Sequence, residues 1–218
     1  MLSLENRTEK LHVSPELGDL RFRKLLRAED WASLPLSVRR RFSKRLAGGM
    51  TNVYAGEITQ VRFSSLGWCL AQALRLIGAP LPLSRDTGVA SVVSVTEDTR
   101  TGGQNWTRLY ARRNGFPQII HSAKRFAGKT GLEEYIGYGI GMNLTVHVEA
   151  QSLVFRSAGY FLQLGGRCLP WPRWLAPGNV TIVHQPLDDC RFVFSLVLQH
   201  PKFGELIRQS GVFRDERQ

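Results

Sequence analysis

The chain has 218 residues, of which 43% are hydrophobic and 22% are charged, a balance that excludes an intrinsically disordered protein. Its 29 Lys and Arg against 18 Asp and Glu give a formal net charge of +11, which favours acidic partners. Cys69, Cys168 and Cys190 are far apart without metal-ligand spacing, and no segment reads as a signal peptide or a membrane span. We therefore expect a cytoplasmic protein with reduced thiols.

The N-terminal part of the sequence predicts a tail followed by two helices. Residues 1–18 lack an apolar period, which predicts a disordered tail, and residues 19–218 are interpreted as a single domain. From Asp19 onward the apolar residues follow helical spacing, and a second helix places Val38 and Phe42 on one face.

Five cations lie in and just after this second predicted helix. They are Arg39, Arg40, Arg41, Lys44 and Arg45. We expect a solvated helix face here, because the apolar residues between the charges have helical spacing. The alternative is an anion-binding surface, which would meet an anionic membrane, with nucleic acid as the less favoured partner.

A third helix is predicted over residues 65–77. Its apolar residues lie nearly all round, and only Gln72 and Arg75 are polar, so this helix is expected to be buried. Gly78 ends the helix. The preceding residues 51–63 are predicted to be extended.

From residue 88 onward, apolar and polar residues alternate with period two between tight-turn signals such as Asn114-Gly115. This pattern is typical of an antiparallel meander, here with about seven strands joined by hairpins.

The strand predicted at residues 191–198 is apolar on both faces, with Phe192 and Phe194 on one face and Val193 on the other. A strand of this kind must be covered on both sides. We therefore predict an α+β fold, in which the meander forms a barrel or a strongly curved half-barrel with N-terminal helices and one buried helix at about 65–77.

Several features predict a ligand cavity in this barrel. The segment LPWPRWLAPG, residues 169–178, places two tryptophans on a stiff, proline-rich connection, which could form a lid over a cavity, plug the barrel or dock on a membrane or a partner protein. Three alternating glycines strip one face of a predicted strand, where a ligand could approach the bare backbone. The complete set of candidate ligand-binding residues is Trp106, Tyr110, Gly137, Gly139, Gly141, Tyr160, Trp171, Trp174 and Phe194.

Three residues are candidates for acid–base chemistry if the protein is an enzyme. His147 and Glu149 lie two residues apart on one predicted strand and so share a face, while His184 shares its face with apolar neighbours. A structural role is the competing interpretation of each histidine. The sequence contains no nucleophile elbow, phosphate-binding loop or metal-binding motif, so no cofactor or metal is predicted.

Certain segments resemble a bacterial family that is defined only as a domain of unknown function (four-one-six-six). They are Leu34-Pro35, the helix ending at Gly78 and Pro80, the strand with Trp106 and Arg108, the run PRWLAP at 172–177 and the segment HPKFGELIRQSGVFR at 200–214. The resemblance covers roughly residues 20 to 214. It implies a small-molecule pathway setting, since members occur alone or joined to saccharopine-reductase-like or epimerase-like dehydrogenase regions, and it implies no catalytic residue.

The leading hypothesis is that the protein binds an apolar small molecule, such as a lipid, an isoprenoid or a pathway intermediate, in a barrel cavity. It would then be an accessory domain of small-molecule metabolism, with a dehydrogenase as a potential partner. The first alternative is a cofactor-free isomerase or cyclase that uses the acid–base residues in that cavity. The second is binding of an anionic membrane or nucleic acid through residues 39–45.

Overall fold

The computed structural model describes residues 18–46 and 49–215. Its helices are a 3-10 turn (Arg23–Leu25), α1 (Ala28–Ser33), α2 (Leu36–Phe42), α3 (Ser65–Ala73) and two further 3-10 turns (Leu74–Ile77 and Arg173–Leu175). Its strands are β1 (Thr51–Phe63), β2 (Val89–Asp98), β3 (Gly103–Tyr110), β4 (Gln118–Arg125), β5 (Glu133–Gly137), β6 (Ile140–Glu149), β7 (Ser152–Leu164), β8 (Arg167–Pro170), β9 (Asn179–Pro186), β10 (Arg191–His200) and β11 (Gly204–Asp215).

The strands form a closed antiparallel barrel, as the sequence predicts. Their order is β6-β5-β4-β3-β2-β1-β11-β10-β9-β7, and β6 also pairs with β7, which closes the ring at ten strands. β8 lies outside the ring and pairs with β7 alone among the described strands. The α+β barrel prediction is therefore confirmed.

The predicted number of about seven strands is too low. A single predicted strand corresponds to two strands, β5 and β6. The chain turns between them at Tyr138 and Gly139, both of which have positive φ. The strand β11 is missing from the prediction, since its inward face includes Gln209 and Gly211 and so lacks a continuous apolar alternation. The tail predicted at residues 1–18 lies outside the described residues except for Gly18, and the single-domain assignment of 19–218 stays a prediction.

The two ends of the barrel are covered differently. We call the end at which α1 and α2 pack the helix end. There Phe42 of α2 contacts Phe22 and Phe155, with ring centroids 5.2 Å and 5.8 Å apart. Leu34 and Val38 are also buried, so the apolar face predicted for α2 seals the helix end.

The opposite end, which we call the loop end, is formed by the connections at residues 64–88, 111–117, 138–139, 165–178 and 201–203. Residues Leu81 and Pro82 are buried over it. Connections between strands therefore cover this end, with residues 64–88 and 165–178 as the longest of them, whereas α1 and α2 pack at the other end. No helix in the described part of the chain is long and apolar enough to span a bilayer.

The helix predicted at 65–77 exists, as α3 followed by a 3-10 turn, but the expectation that it is buried is wrong. α3 packs on the outside of the barrel against β11, and only Gly67 and Ala71 are buried. Trp68 and Leu76 are exposed. The helix approaches so closely because Gly67 has no side chain: a Cβ there would lie 1.9 Å from the carbonyl oxygen of Leu206.

We predict that Gly67→Ala destabilises the protein. Helix propensity alone would favour alanine by about 1 kcal/mol, but the methyl group must push α3 away from β11, which costs roughly 1–3 kcal/mol more than it gains. Equilibrium urea unfolding measures the change. Cys69→Ala, on the exposed face of the same helix, is the control and should change the free energy of unfolding by less than about 0.5 kcal/mol. An unchanged or raised stability of Gly67→Ala would contradict the packing described.

Candidate functional site: the barrel interior

The main cavity lies inside the barrel towards the loop end and has a volume of about 100 Å³. Much of its wall is apolar, with contributions from Ile120, Met142, Val180, Ile182, Leu196 and Leu198. Leu81, Pro82 and Pro177 close it from the loop end. A water molecule needs only about 10–15 Å³ of such space, and a cavity of roughly 150 Å³ can hold a benzene ring. The interior is therefore not a completely filled core.

A cluster of charged side chains lies at the deep side of this cavity. Nη2 of Arg108 donates to Oε1 of Glu134 at 3.3 Å, and Nζ of Lys124 donates to Oε2 at 2.9 Å. The Ser122 hydroxyl donates to Oε1 of Glu134 at 2.7 Å and accepts from Nη1 of Arg108 at 2.9 Å. All four side chains are buried, and β3, β4 and β5 bring them together through their antiparallel register.

Glu134 is held in its ionised form. Burial alone would raise the pKa of its carboxyl group, but attraction to Lys124 and Arg108 and hydrogen bonds from Lys124 and Ser122 lower the pKa to about 2. Burial lowers the pKa of Lys124, and the same carboxylate opposes that change. The cluster combines two cationic side chains with one carboxylate, which gives the deep side of the cavity a positive charge.

Two smaller cavities continue towards the helix end. The nearer one, which we call the inner cavity, has a volume of about 20 Å³ and shares Arg108, Tyr110 and Phe194 with the main cavity. Arg41 and His184 lie on its far side. The third, of about 10 Å³, lies beneath α2. The three cavities follow one another along the barrel axis.

His184 is buried among aromatic rings. Phe42 and Phe194 contact its ring edge to face, with centroids 5.1 Å and 5.4 Å away. Burial lowers the pKa of His184 well below its ordinary value, and the nearby charges of Arg41 and Lys124 lower it further. The imidazole is therefore neutral at pH 7, and its Nδ1 has no hydrogen-bond partner among the described residues.

Most of the candidate ligand-binding residues on strands do line the interior. Tyr110, Gly141, Tyr160 and Phe194 border the main cavity, and Trp106 borders the two smaller ones. The predicted glycine-stripped face does not exist, because Gly137 and Gly139 lie at the β5–β6 turn with positive φ.

The two tryptophans of the 169–178 segment have different positions at the loop end. Trp171 is half-buried, and its backbone N–H donates to the carbonyl of Tyr160 at 2.8 Å. Trp174 is 80% exposed, so it is not a plug of the barrel. The hydroxyl of Tyr160 donates to the carbonyl of Gly178 at 2.8 Å, which ties this segment to the cavity wall.

Of the three acid–base candidates, only His184 lies in the interior. His147 and Glu149 do share a face, but that face is the outside of the barrel, where both are exposed. Glu149 forms a salt bridge of 2.6 Å with Arg156, and the His147 ring contacts the hydroxyl of Thr145 at 2.9 Å. His147 and Glu149 therefore cannot serve chemistry in the cavity.

The five cations of residues 39–45 do not form one surface. Arg41 points into the barrel, and Lys44 forms a salt bridge with Asp215. Arg39 is partly buried, which leaves Arg40 and Arg45 exposed. Only two of the five cations therefore remain exposed on the proposed anion-binding surface.

Sequence reasoning missed Lys124 and Glu134. The missing signal is the strand register: the Asn114-Gly115 turn places Lys124 opposite Gln104, and β5 places Glu134 opposite Lys124. Once Trp106 is assigned to the interior, these charged residues must follow it there. Within the described residues, no group of three or more His, Cys, Asp or Glu is arranged to hold a metal ion.

The fold and the interior together define a class: a closed ten-stranded antiparallel barrel with a small axial cavity and a buried charged cluster. Comparison with protein families matches residues 34–213 to the family described as Domain of unknown function (DUF4166), and the chain belongs to this family. Neither the curated proteins nor the solved structures give a match to the chain.

We predict that Glu134→Gln destabilises the protein by about 3–5 kcal/mol, because it leaves two buried cations without their carboxylate. Chemical denaturation at pH 7 measures this change. The control is Glu133→Gln on the neighbouring, partly exposed residue, which should cost less than about 1 kcal/mol.

The pH dependence provides a second readout. Because the folded pKa of Glu134 is about 2 and its ordinary value is 4.5, its ionised form stabilises the fold above pH 4.5, and this contribution disappears as the pH falls towards 2. The contribution is roughly 3 kcal/mol. Stability curves of wild type and Glu134→Gln that run parallel between these pH values would contradict it.

Proposed function

We propose that this protein binds a small, predominantly apolar molecule in the main cavity of the barrel. The observation that carries the proposal is the cavity itself: about 100 Å³ of space with an apolar wall and a few convergent polar groups at its deep side. Small-molecule sites have this composition, in which apolar walls supply affinity and polar groups fix orientation. A lipid, an isoprenoid or a pathway intermediate has suitable chemistry, and a cavity of about 100 Å³ holds only a part of a long-chain molecule.

Binding is favoured over catalysis by the arrangement of the acid–base groups. Both oxygens of Glu134 accept hydrogen bonds from its neighbours, and the cationic neighbours and these hydrogen bonds outweigh burial and keep its proton affinity low. His184 faces the inner cavity without a carboxylate partner among the described residues. A general base needs a partner that orients it and a pKa near the working pH. The isomerase or cyclase alternative therefore depends on His184 alone.

A metabolic role is implied only by the sequence resemblance. A binding domain could be an accessory domain of small-molecule metabolism, with a dehydrogenase as its partner. This role stays a prediction. So does the cytoplasmic location.

We predict that filling the cavity abolishes binding. Ile120 is 4% exposed on the cavity wall, and its neighbour Ile119 is 48% exposed on the outer face of the same strand. Ile120→Trp should weaken binding of 1-octanol at least about tenfold because the indole occupies the cavity, whereas Ile119→Trp should leave it within about twofold. Isothermal titration calorimetry measures both, with circular dichroism to verify folding.

A native mass spectrum of the untagged protein, compared with its denatured mass, tests the same proposal without a chosen probe. A copurified apolar molecule is the expected result. Absence of a copurified mass together with no heat of binding for 1-octanol would show that the proposed function is wrong.

A further inference from the structure

The inner cavity contains a buried cation that lacks acceptors. Arg41 is 8% exposed, and its Nε and Nη1 have no hydrogen-bond partner among residues 18–46 and 49–215. Its guanidinium lies over the ring of Phe192, 3.6 Å from the centroid. The ring of Phe192 covers one face of the guanidinium, and the N–H donors of Nε and Nη1 remain unsatisfied. Buried donors on an ionised group are normally all paired.

The neighbouring carboxylates are already engaged. Glu134 pairs with Arg108 and Lys124, and Asp215 pairs with Lys44. Asp19, the other buried acid near the helix end, forms a 2.7 Å salt bridge with Arg21. Asp215 attracts Arg41 electrostatically, but Nε and Nη1 of Arg41 still have no acceptor among the described residues. Glu134 is the only carboxylate among the described residues that border the three cavities.

The space beside Arg41 matches a small anionic group. The inner cavity of about 20 Å³ exceeds the roughly 10–15 Å³ that one water needs, and it is too narrow for a ring. Arg41 and His184 border it on one side, and it shares the Arg108 guanidinium, Tyr110 and Phe194 with the main cavity on the other. An elongated ligand could place its apolar body in the main cavity and its end group here.

We propose that the ligand carries a carboxylate, which enters the inner cavity and accepts hydrogen bonds from Arg41, and from His184 in its Nδ1–H tautomer. This inference rests on the proposed function and specifies its ligand class as small apolar carboxylic acids. The carboxylate supplies the negative charge and the acceptors that the barrel interior lacks.

The test compares octanoate with 1-octanol, which have the same chain length and differ in charge. For the wild type we expect octanoate to bind about ten- to a hundredfold more tightly, because charge-assisted hydrogen bonds are formed. Arg41→Met should remove this preference and leave the affinity for 1-octanol unchanged. The control Arg40→Met alters the adjacent, exposed arginine and should keep the preference.

The outcomes separate the two proposals. If neither compound binds to the wild type, the proposed function fails. If 1-octanol binds and octanoate binds no more tightly, or if Arg41→Met keeps the preference, only the carboxylate inference fails. The wild-type comparison decides the inference even if Arg41→Met does not fold. Without ligand, Arg41→Met should have a raised urea midpoint, whereas a purely structural Arg41 would lower it.

A second inference comes from the outer surface of the loop end. Large apolar side chains are exposed on its separate connections: Leu76 (88%), Phe116 (91%), Tyr138 (71%), Trp174 (80%) and Phe203 (62%). Among them lie exposed cations, which are Arg75, Arg85, Arg112, Arg113, Arg167 and Lys202. Asp86 is the only acidic residue in the connections that form this end.

We infer that the loop end docks on an anionic membrane surface. Apolar and aromatic side chains that project from turns can enter the headgroup region, and surrounding cations are attracted to anionic lipids, each by a modest amount. These five large apolar side chains, four of them aromatic, are 62–91% exposed on five separate connections and so contribute little to the barrel core. The main cavity lies directly beneath this end, so a docked barrel would take its ligand from the membrane side.

Vesicle flotation tests the docking. The wild type should float with vesicles of 30% phosphatidylglycerol in phosphatidylcholine, and should do so much less with phosphatidylcholine alone. Replacing Leu76, Phe116 and Trp174 together by Ser should abolish flotation. The control Met50→Ser with Leu187→Ser alters exposed apolar residues at the helix end and should have no effect.

Two results would overturn this inference: no flotation of the wild type, or equal flotation on both kinds of vesicle. Size-exclusion chromatography with light scattering tests whether a second copy of the chain, and not a membrane, covers the loop end. If the wild type is a dimer that the triple substitution converts to a monomer, a second copy covers the loop end and the membrane inference is wrong.

Discussion

Closure of the sheet into a ring, in which β6 pairs with β7 and β1 pairs with β11, is the constraint on which the rest of the structure depends. A closed ring leaves none of its ten strands with a free edge, and it separates an inward from an outward face along each strand. The inward face receives side chains from every strand whether they are apolar or charged. The barrel encloses Glu134, Arg108 and Lys124 because their strand positions are inward. Their ion pairs offset the cost of burying these charges.

The interior is polarised along the barrel axis. At the loop end the wall is formed by Ile182, Leu196 and Leu198, and further in it meets Arg108 and then Arg41. Apolar surface and fixed charge are therefore arranged in series within one narrow space. Such an arrangement is poor for stability, since each buried cation is costly, and it is suited to recognition of an elongated molecule with one charged end.

Much of the fold could be predicted from the sequence. Two-residue periodicity and turn residues such as Asn114-Gly115 indicate the antiparallel meander, and the two apolar faces of β10 indicate a covered barrel strand. The errors have physical causes. The apolar composition of α3 predicts a buried helix, but only Gly67 and Ala71 of α3 are buried, because a glycine at the contact lets a helix rest on a strand with few side chains.

The candidate site was predicted only in part. The aromatic residues of the wall, such as Tyr110 and Phe194, were identified by their place in apolar strands. The spacing of His147 and Glu149 predicts that they share a face, but spacing along one strand does not reveal which face is inward. The sequence places Arg41 in a run of surface charges. Its inward position depends on how α2 packs at the helix end, which is a tertiary contact without a local pattern.

The pairing of β1 with β11 joins parts of the chain that are far apart in sequence, with Tyr54 opposite Asp215. Loop-closure entropy opposes such long-range pairing until most of the remaining strands are in place. We expect the hairpins from β2 to β6 to form early and the ring to close last. Until then, one edge of β1 and one edge of β11 are open to pairing with other chains. We therefore expect slow folding that needs dilute conditions or a chaperone. The same topology leaves no free edge in the ring once it has closed.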